Sequence, residues 1–276
     1  MNRHGSLHDH NDPRLPDTTR SMKGTAMSEE KGTGGFGLII IGSEILDGRV
    51  RDSHLVNMQR LLAERHHSLA YTMTLIDDPR LITEQLRWAL SRPEPFFCCG
   101  GIGATPDDYT RQCAADATGL TLAYHPEGVT IMEGRFGTEV TPHRLRLVEF
   151  PAGATLIPNP VNQVPGFSIG TGHFLPGFPS MAEPMMAWVL DTRYKEGTEI
   201  ITGTLVLPGV RESDIIPLMD AFNRRHLPIR LSSLPRFVEG GTEIRLGLTG
   251  SPEDVQTGLA DIIQSIESAG MPWRKA

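Results

Sequence analysis

The chain predicts an α/β fold with a mostly parallel sheet covered by helices on both sides, followed by a smaller second α/β unit. Three observations predict it. Two short runs are continuously apolar, Leu38-Ile39-Ile40-Ile41 and Phe96-Phe97-Cys98-Cys99, as in strands buried on both faces. Such runs alternate with stretches of helical period, which implies crossover connections between parallel neighbours. The texture then changes after Tyr194, where a β-α-β-β-α series begins.

Each element has its own signal. Residues 1–35 are polar, rich in Gly, Pro, Ser and Thr, and without periodicity, so they read as a disordered arm. Leu38–Ile41 is the first strand. Leu55, Met58, Leu61 and Leu62 space one face of a helix over 54–66. Leu69–Ile76 reads as a strand, and Ile82, Leu86, Ala89 and Leu90 mark a helix over 80–91. Pro95–Cys99 is the next strand, and a helix is expected from Pro106 to Ala117. Residues 126–150 carry weak, mixed signals. Thr155–Ile157 and Phe167–Leu175 predict strands, the second interrupted by Gly170 and Gly172. A helix opens after Pro179 with Met181, Met185, Met186, Val189 and Leu190, a stripe that reads as core. Strands at 199–207, 229–232 and 243–249 and helices at 212–225 and 252–269 complete the chain. The boundary between the units is placed near 196, giving segments 1–35, 36–195 and 196–276.

Composition narrows the function classes. With 39% hydrophobic and 21% charged residues, the chain has the balance of a globular protein able to bury a core. A net charge of −7 argues against a nucleic-acid surface, which needs a basic face. No apolar run approaches the ~20 residues of a membrane span, and no secretory signal is visible. Three cysteines, two of them adjacent, make no disulfide framework and no zinc spacing, and read as buried small hydrophobes. The expected compartment is the cytoplasm.

In open α/β sheets, ligands bind beyond the carboxyl ends of the strands. Four segments hold that position, each directly after an apolar run: Gly42-Ser43-Glu44, Asp77-Asp78-Pro79, the loop 100–108, and Pro176-Gly177-Phe178-Pro179-Ser180. The loop after the third strand is the most informative. Gly100, Gly101 and Gly103 permit positive φ and close approach to a ligand. Feeding a helix N-terminus, such a loop points N–H groups at one spot and favours an anion. Thr105 is expected as N-cap with Pro106 at the first helical position and Asp108 closing a capping box. That cap is the plain structural role of Asp108. It does not account for three glycines, or for adjacent acids where an anion should bind. Mg²⁺ bridging Asp78, Asp107 or Asp108 to phosphate oxygens would resolve the repulsion. Hydrogen bonds from a nitrogen-rich ring to the acids would do so too. Asp77 and Asp78 have an ordinary reading as a turn before Pro79, Asp52 as a cap for the helix near His54, and Glu44 stands equally between site and scaffold.

The run G-G-I-G-A-T-P-D-D-Y-T (100–110) resembles the glycine-rich signature of the molybdopterin-binding, or molybdenum-cofactor biosynthesis, domain family. G-S-E-I-L-D-G-R-V-R-D-S-H (42–54), I-D-D-P (76–79), N-P-V-N-Q-V-P-G-F (159–167) and L-P-G-F-P-S-M (175–181) are similar to further blocks, in order, of its competence/damage-inducible branch. The resemblance covers about residues 36–190, and residues 198–276 resemble the small KH-like domain that follows in that branch. It implies a three-layer αβα fold, frequent oligomerisation, and a phosphorylated pterin or nucleotide as ligand. It also implies Mg²⁺, with hydrolysis of a nucleotide pyrophosphate such as ADP-ribose, or adenylyl transfer to molybdopterin. Carried over by position, Gly100, Gly101, Gly103 and Thr105 form the phosphate loop. Asp78 and Asp108 are its acids and candidate catalytic groups, Glu44 belongs to the opening motif, and Pro176, Gly177 and Pro179 to the proline-glycine loop. The branch usually has Asp where this chain has Ser43, Asn at His54 and Pro at Ala104. The lost carboxylate weakens hydrolysis more than binding: the leading expectation is still a Mg²⁺-dependent enzyme of this kind, with a non-catalytic pterin- or nucleotide-binding module as the alternative.

Overall fold

The computed structural model describes residues 35–226 and 228–276; the arm expected over 1–35 lies, save Gly35, outside them. In chain order the elements are β1 (Phe36–Ile41), α1 (Ser43–Leu46), α2 (His54–Ala63), β2 (Leu69–Leu75), α3 (Pro79–Leu90), β3 (Phe96–Cys99) and α4 (Thr110–Thr118). Then come β4 (Leu122–Tyr124), α5 (Pro126–Phe136), α6 (Pro142–Leu145), β5 (Glu149–Pro151), β6 (Thr155–Ile157), β7 (Gly166–Ile169), β8 (Gly172–Leu175) and α7 (Pro179–Arg193). The remainder is β9 (Ile201–Pro208), α8 (Glu212–Arg225), β10 (Arg230–Val238), β11 (Gly241–Gly250), α9 (Pro252–Ser268) and β12 (Arg274–Lys275).

The main sheet has the order β2-β1-β3-β8-β7-β6. Its first four strands run parallel, while β7 and β6 are antiparallel additions. Alternating side chains of one strand enter opposite cores, as strand geometry requires. Ile39, Ile41, Phe96 and Cys98 pack with Ile82 and Leu86 of α3 and Cys113 and Ala114 of α4. Leu38, Ile40, Phe97 and Cys99 pack with Met58 and Leu62 of α2 and Met185 and Val189 of α7. These two cores are why the apolar runs were continuous and not alternating. All three cysteines and Met185 and Met186 are core, as expected, whereas Met181 of the same stripe is only half-buried. Burial raises the Cys98 and Cys99 thiols well above the ordinary range.

The second unit has an antiparallel sheet, β10-β11-β9-β12, with α8 and α9 over it. Its core, including Leu205, Phe222, Leu246 and Ile262, draws only on residues 201–273.

Three local expectations need correction. The helix placed at 106–117 starts at Thr110, because Thr105 and Asp108 close a turn of their own ahead of it. The strand placed at 167–175 is a hairpin, β7 and β8, turning at Gly170 with φ 55°. The ambiguous stretch 126–150 holds α5, α6 and two short 3-10 turns, and its last residues join β4 in a two-stranded ribbon.

Candidate functional site

Because β2, β1, β3 and β8 are parallel, the loops after them open at the same end of the sheet. Contacts confirm that several of them meet. A Cβ added to Gly177 would lie 3.3 Å from the Gly100 Cα, so the proline-glycine loop rests on the glycine loop. A Cβ on Gly100, whose φ is 108°, would come within 2.1 Å of the Ile41 carbonyl oxygen, so this position is closed to any side chain. His54 Nε2 lies 3.1 Å from the Gly177 carbonyl and must donate to it, which fixes the tautomer. Burial holds the His54 imidazole below its ordinary range, so it is neutral at pH 7. The Ser43 N–H and hydroxyl both donate to Asp77 Oδ2 at 2.8 Å, joining the loops after β1 and β2.

Within the glycine loop the carbonyls and the amides are treated differently. The Gly100 carbonyl accepts from the Thr110 hydroxyl at 2.9 Å, and the Gly101 carbonyl from the Thr110 N–H at 2.9 Å. The Gly103 carbonyl accepts from two nitrogens of Arg111, at 2.8 and 3.2 Å. Arg111 is 3% exposed, and its remaining nitrogen donates to the carbonyls of Arg146 at 2.5 Å and Glu149 at 3.2 Å. The same guanidinium faces the Glu149 carboxylate at 3.8 Å. By contrast, the N–H groups of Gly101, Ile102, Gly103 and Ala104 find no acceptor among the described residues. Held carbonyls with free, consecutive amides make a backbone concavity suited to an anion.

The predicted acids are placed otherwise than expected. Asp78 is the N-cap of α3, its Oδ1 accepting from the Leu81 N–H at 2.8 Å. It borders a groove of about 910 Å³ between α3 and α4, lined also by Arg80, Thr83 and Asp116, not by the glycine loop. Asp108 Oδ2 accepts from the Thr105 N–H at 2.8 Å and from the Thr105 hydroxyl. The pairing foreseen between Thr105 and Asp108 therefore exists, but it closes a turn instead of capping α4, whose N-cap is Tyr109. Asp107 is exposed beside this turn. Asp52 accepts from the His54 and Leu55 N–H groups, a capping role. The Glu44 carboxylate folds back over Gly42, 2.7 Å from where a Cβ would sit. Pro179 occupies the first turn of α7. Phe178, which sequence reading passed over, is 66% exposed next to Gly177.

No group of three or more His, Cys, Asp or Glu among the described residues can hold a metal ion. The set Asp78, Asp107 and Asp108 does not make a preformed Mg²⁺ site, because α3 engages the first and Thr105 the last. Arg111 was also missed. Its signal was its spacing: Ala114 and Ala115, three and four residues on, share its helix face and are buried.

A mostly parallel sheet sandwiched between helices, with a glycine loop of unbonded amides at its strand ends, defines an αβα domain. Comparison with known proteins gives the family. Residues 37–196 match the probable molybdopterin binding domain, and the chain belongs to that family. A CinA-like protein of Geobacter sp. (strain M21) is 30% identical over 227 residues, 78% of this chain and 54% of that protein. A protein of Caldivirga maquilingensis is 27% identical over 228 residues, 79% of this chain and 89% of its own length. The crystal structure of the protein CinA with unknown function from Thermoplasma acidophilum superposes with a TM-score of 0.53 at 26% identity. It covers 58% of this chain and 97% of that one. The chain spans about half the length of the CinA-like proteins it matches. No helix among the described residues is long and apolar enough to cross a membrane.

Proposed function

We propose that the loops after β1, β3 and β8 bind the phosphate of a pterin- or nucleotide-type ligand, and that they do so without a protein-held Mg²⁺. The observation that carries this reading is the asymmetry of the glycine loop: three held carbonyls against four free consecutive amides. Gly100, Gly101, Gly103 and Thr105 form the cradle in this reading. Glu44, Pro176, Gly177 and Pro179 border it, with Arg111 turning the Gly103 carbonyl inward. The acids argue for a binding module over a Mg²⁺-dependent pyrophosphatase or adenylyltransferase. Asp77, Asp78 and Asp108 each already accept hydrogen bonds, from Ser43, Leu81 and Thr105. Ser43 in particular supplies a hydroxyl where the related branch usually supplies a carboxylate. The reading takes the protein as cytoplasmic and homo-oligomeric, and assigns it no nucleic-acid partner.

Calorimetry with pyrophosphate and with AMP tests it, in EDTA and in Mg²⁺. Binding in EDTA is expected, weakened at least tenfold by Arg111→Met, with circular dichroism confirming the fold. Arg111→Lys, which keeps one donor and the charge, is expected to fall between the two. Binding only with Mg²⁺, or turnover of ADP-ribose by the Mg²⁺-supplemented protein, would replace this reading with the hydrolase one. Unaltered affinity in Arg111→Met would remove Arg111 from the cradle.

A further inference from the structure

The sequence block 159–167 takes no part in the phosphate cradle, yet it lines a cleft of about 720 Å³ at the free edge of the main sheet. The edge strand β6 forms the floor. Helix α5 rises from one helical layer and Trp188 of α7 from the other, so the edge is framed without being covered. The volume lies in the range typical of small-molecule sites.

The polar groups in this cleft are few and specific. Asn159 is 5% exposed. Its Oδ1 accepts from the N–H groups of Val161 at 3.0 Å and Asn162 at 3.4 Å. Two N–H donors can only face an oxygen, so the amide orientation is fixed and Nδ2 points away from them. That NH₂ group and Trp188 Nε1 make no hydrogen bond to another described residue, and neither is among the buried polar atoms left without a partner, so both are open to the solvent of the cleft. A donor that makes no protein hydrogen bond at the wall of an otherwise apolar cleft can bond a ligand there without first giving up a partner. Here the surface is Ile131, Leu156, Pro165 and the Trp188 indole. The Arg193 guanidinium stands 5.8 Å from that indole ring. The cleft's two charged residues, Glu127 and Arg135, are of opposite sign and both exposed, so it has no net preference for an anion.

We infer that this cleft is a second binding site, taking an uncharged planar nitrogen heterocycle of purine or pterin type. Ring carbonyl or ring nitrogen lone pairs accept from Asn159 Nδ2, and the ring packs on Trp188 and Leu156. The inference stands apart from the phosphate cradle, since neither the glycine loop nor Arg111 contributes to it.

The test titrates the full, ¹⁵N-labelled chain with adenosine and, separately, with biopterin. Neither carries a phosphate. Shifts of the Asn159 side-chain NH₂ and Trp188 indole N–H resonances are expected with at least one probe, and the tighter of the two identifies the ring. Asn159→Asp keeps an oxygen for the Val161 and Asn162 amides but replaces the donor with an acceptor. It is expected to weaken that probe tenfold or more while leaving the urea midpoint unchanged. Trp188→Leu should weaken it as well. If neither probe moves those resonances, or Asn159→Asp binds as tightly as the parent chain, the site does not exist. Pyrophosphate separates the two proposals, because it should perturb the Gly101–Ala104 amides alone. Silence from pyrophosphate sinks the cradle, and silence from both rings sinks the cleft.

Discussion

The glycine loop after β3 and the Asp77–Pro79 turn after β2 leave the same end of the same sheet, and both carry adjacent or near-adjacent acids ahead of a helix. In the turn, the acids serve the scaffold: Asp78 caps α3 and Asp77 receives both donors of Ser43. In the loop, the scaffold serves the amides. Thr110 and Arg111 come back to hold its carbonyls, and four N–H groups remain without a protein acceptor among the described residues. Composition does not separate the two, because both are short, polar and acidic. What separates them is where each backbone group finds its partner, a question every buried or half-buried loop must answer. An acid next to a binding loop is thus weak evidence of chemistry until its own hydrogen bonds are accounted for.

The largest effect should come where the loop has no room. Gly100→Ala would place a methyl carbon 2.1 Å from the Ile41 carbonyl oxygen at a φ of 108°. Backbone cannot yield as a side chain can, so a loss on the order of 3 kcal/mol is expected, with affinity lost alongside. Gly103→Ala gives the contrast, since the nearest atoms to its new carbon belong to the Asp108 carboxylate, at 2.4 Å. That side chain can move, so most of the stability should remain. Urea unfolding of both variants checks the pair. Equal stability losses would mean that the loop is not held through Gly100.

Burial also sets the protonation of three histidines, His54 at the strand ends and His67 and His173 toward the strand starts. Burial lowers the pKa of His54 beneath the Gly177 carbonyl and that of His67. It takes His173, bonded to Ser168 and Tyr194, from 6.5 to about 3. Each binds fewer protons folded than unfolded below 6.5. Their contribution to stability is therefore complete above pH 6.5 and declines as the pH falls below it, for His173 down to about 3. For His173 alone the decline is about 2 kcal/mol by pH 5, at ~1.4 kcal/mol per pH unit. Unfolding midpoints measured from pH 7.5 to pH 5 should fall. A flat profile would show that these imidazoles are solvated. His54→Asn should remove the share that belongs to the Gly177 contact and leave the rest.

Much of the architecture was legible because a strand buried on both faces is written continuously. Phe96-Phe97-Cys98-Cys99 feeds two cores with alternate residues, and no other element type combines that run length with flanking glycines. The convergence of strand-end loops followed from parallel topology alone, and the contact of Gly177 with Gly100 bears it out. The start of α4 was not legible. Thr105, Pro106 and Asp108 offer a good local cap, and only the non-local return of Thr110 to Gly100 and Gly101 delays the helix. Arg111 was hidden for the same reason, since its carbonyl partners at 146 and 149 lie in the stretch where local signals were weakest. The short ribbon of β4 and β5 exists by pairing across that stretch, beyond any local pattern.

The smallest expected effect bears most directly on the comparison. Asp78→Ala removes the cap of α3, worth about 1 kcal/mol for a residue of this type. If the turn serves the scaffold, the unfolding midpoint falls by that amount and pyrophosphate affinity is unchanged. Asp78→Asn should restore the midpoint, because asparagine caps as well as aspartate does. The opposite pattern, a tenfold loss of affinity in both variants with stability restored in the second, would return Asp78 to the site. It would do so as a charge and not as a cap, because only the carboxylate's charge distinguishes it from asparagine at that position.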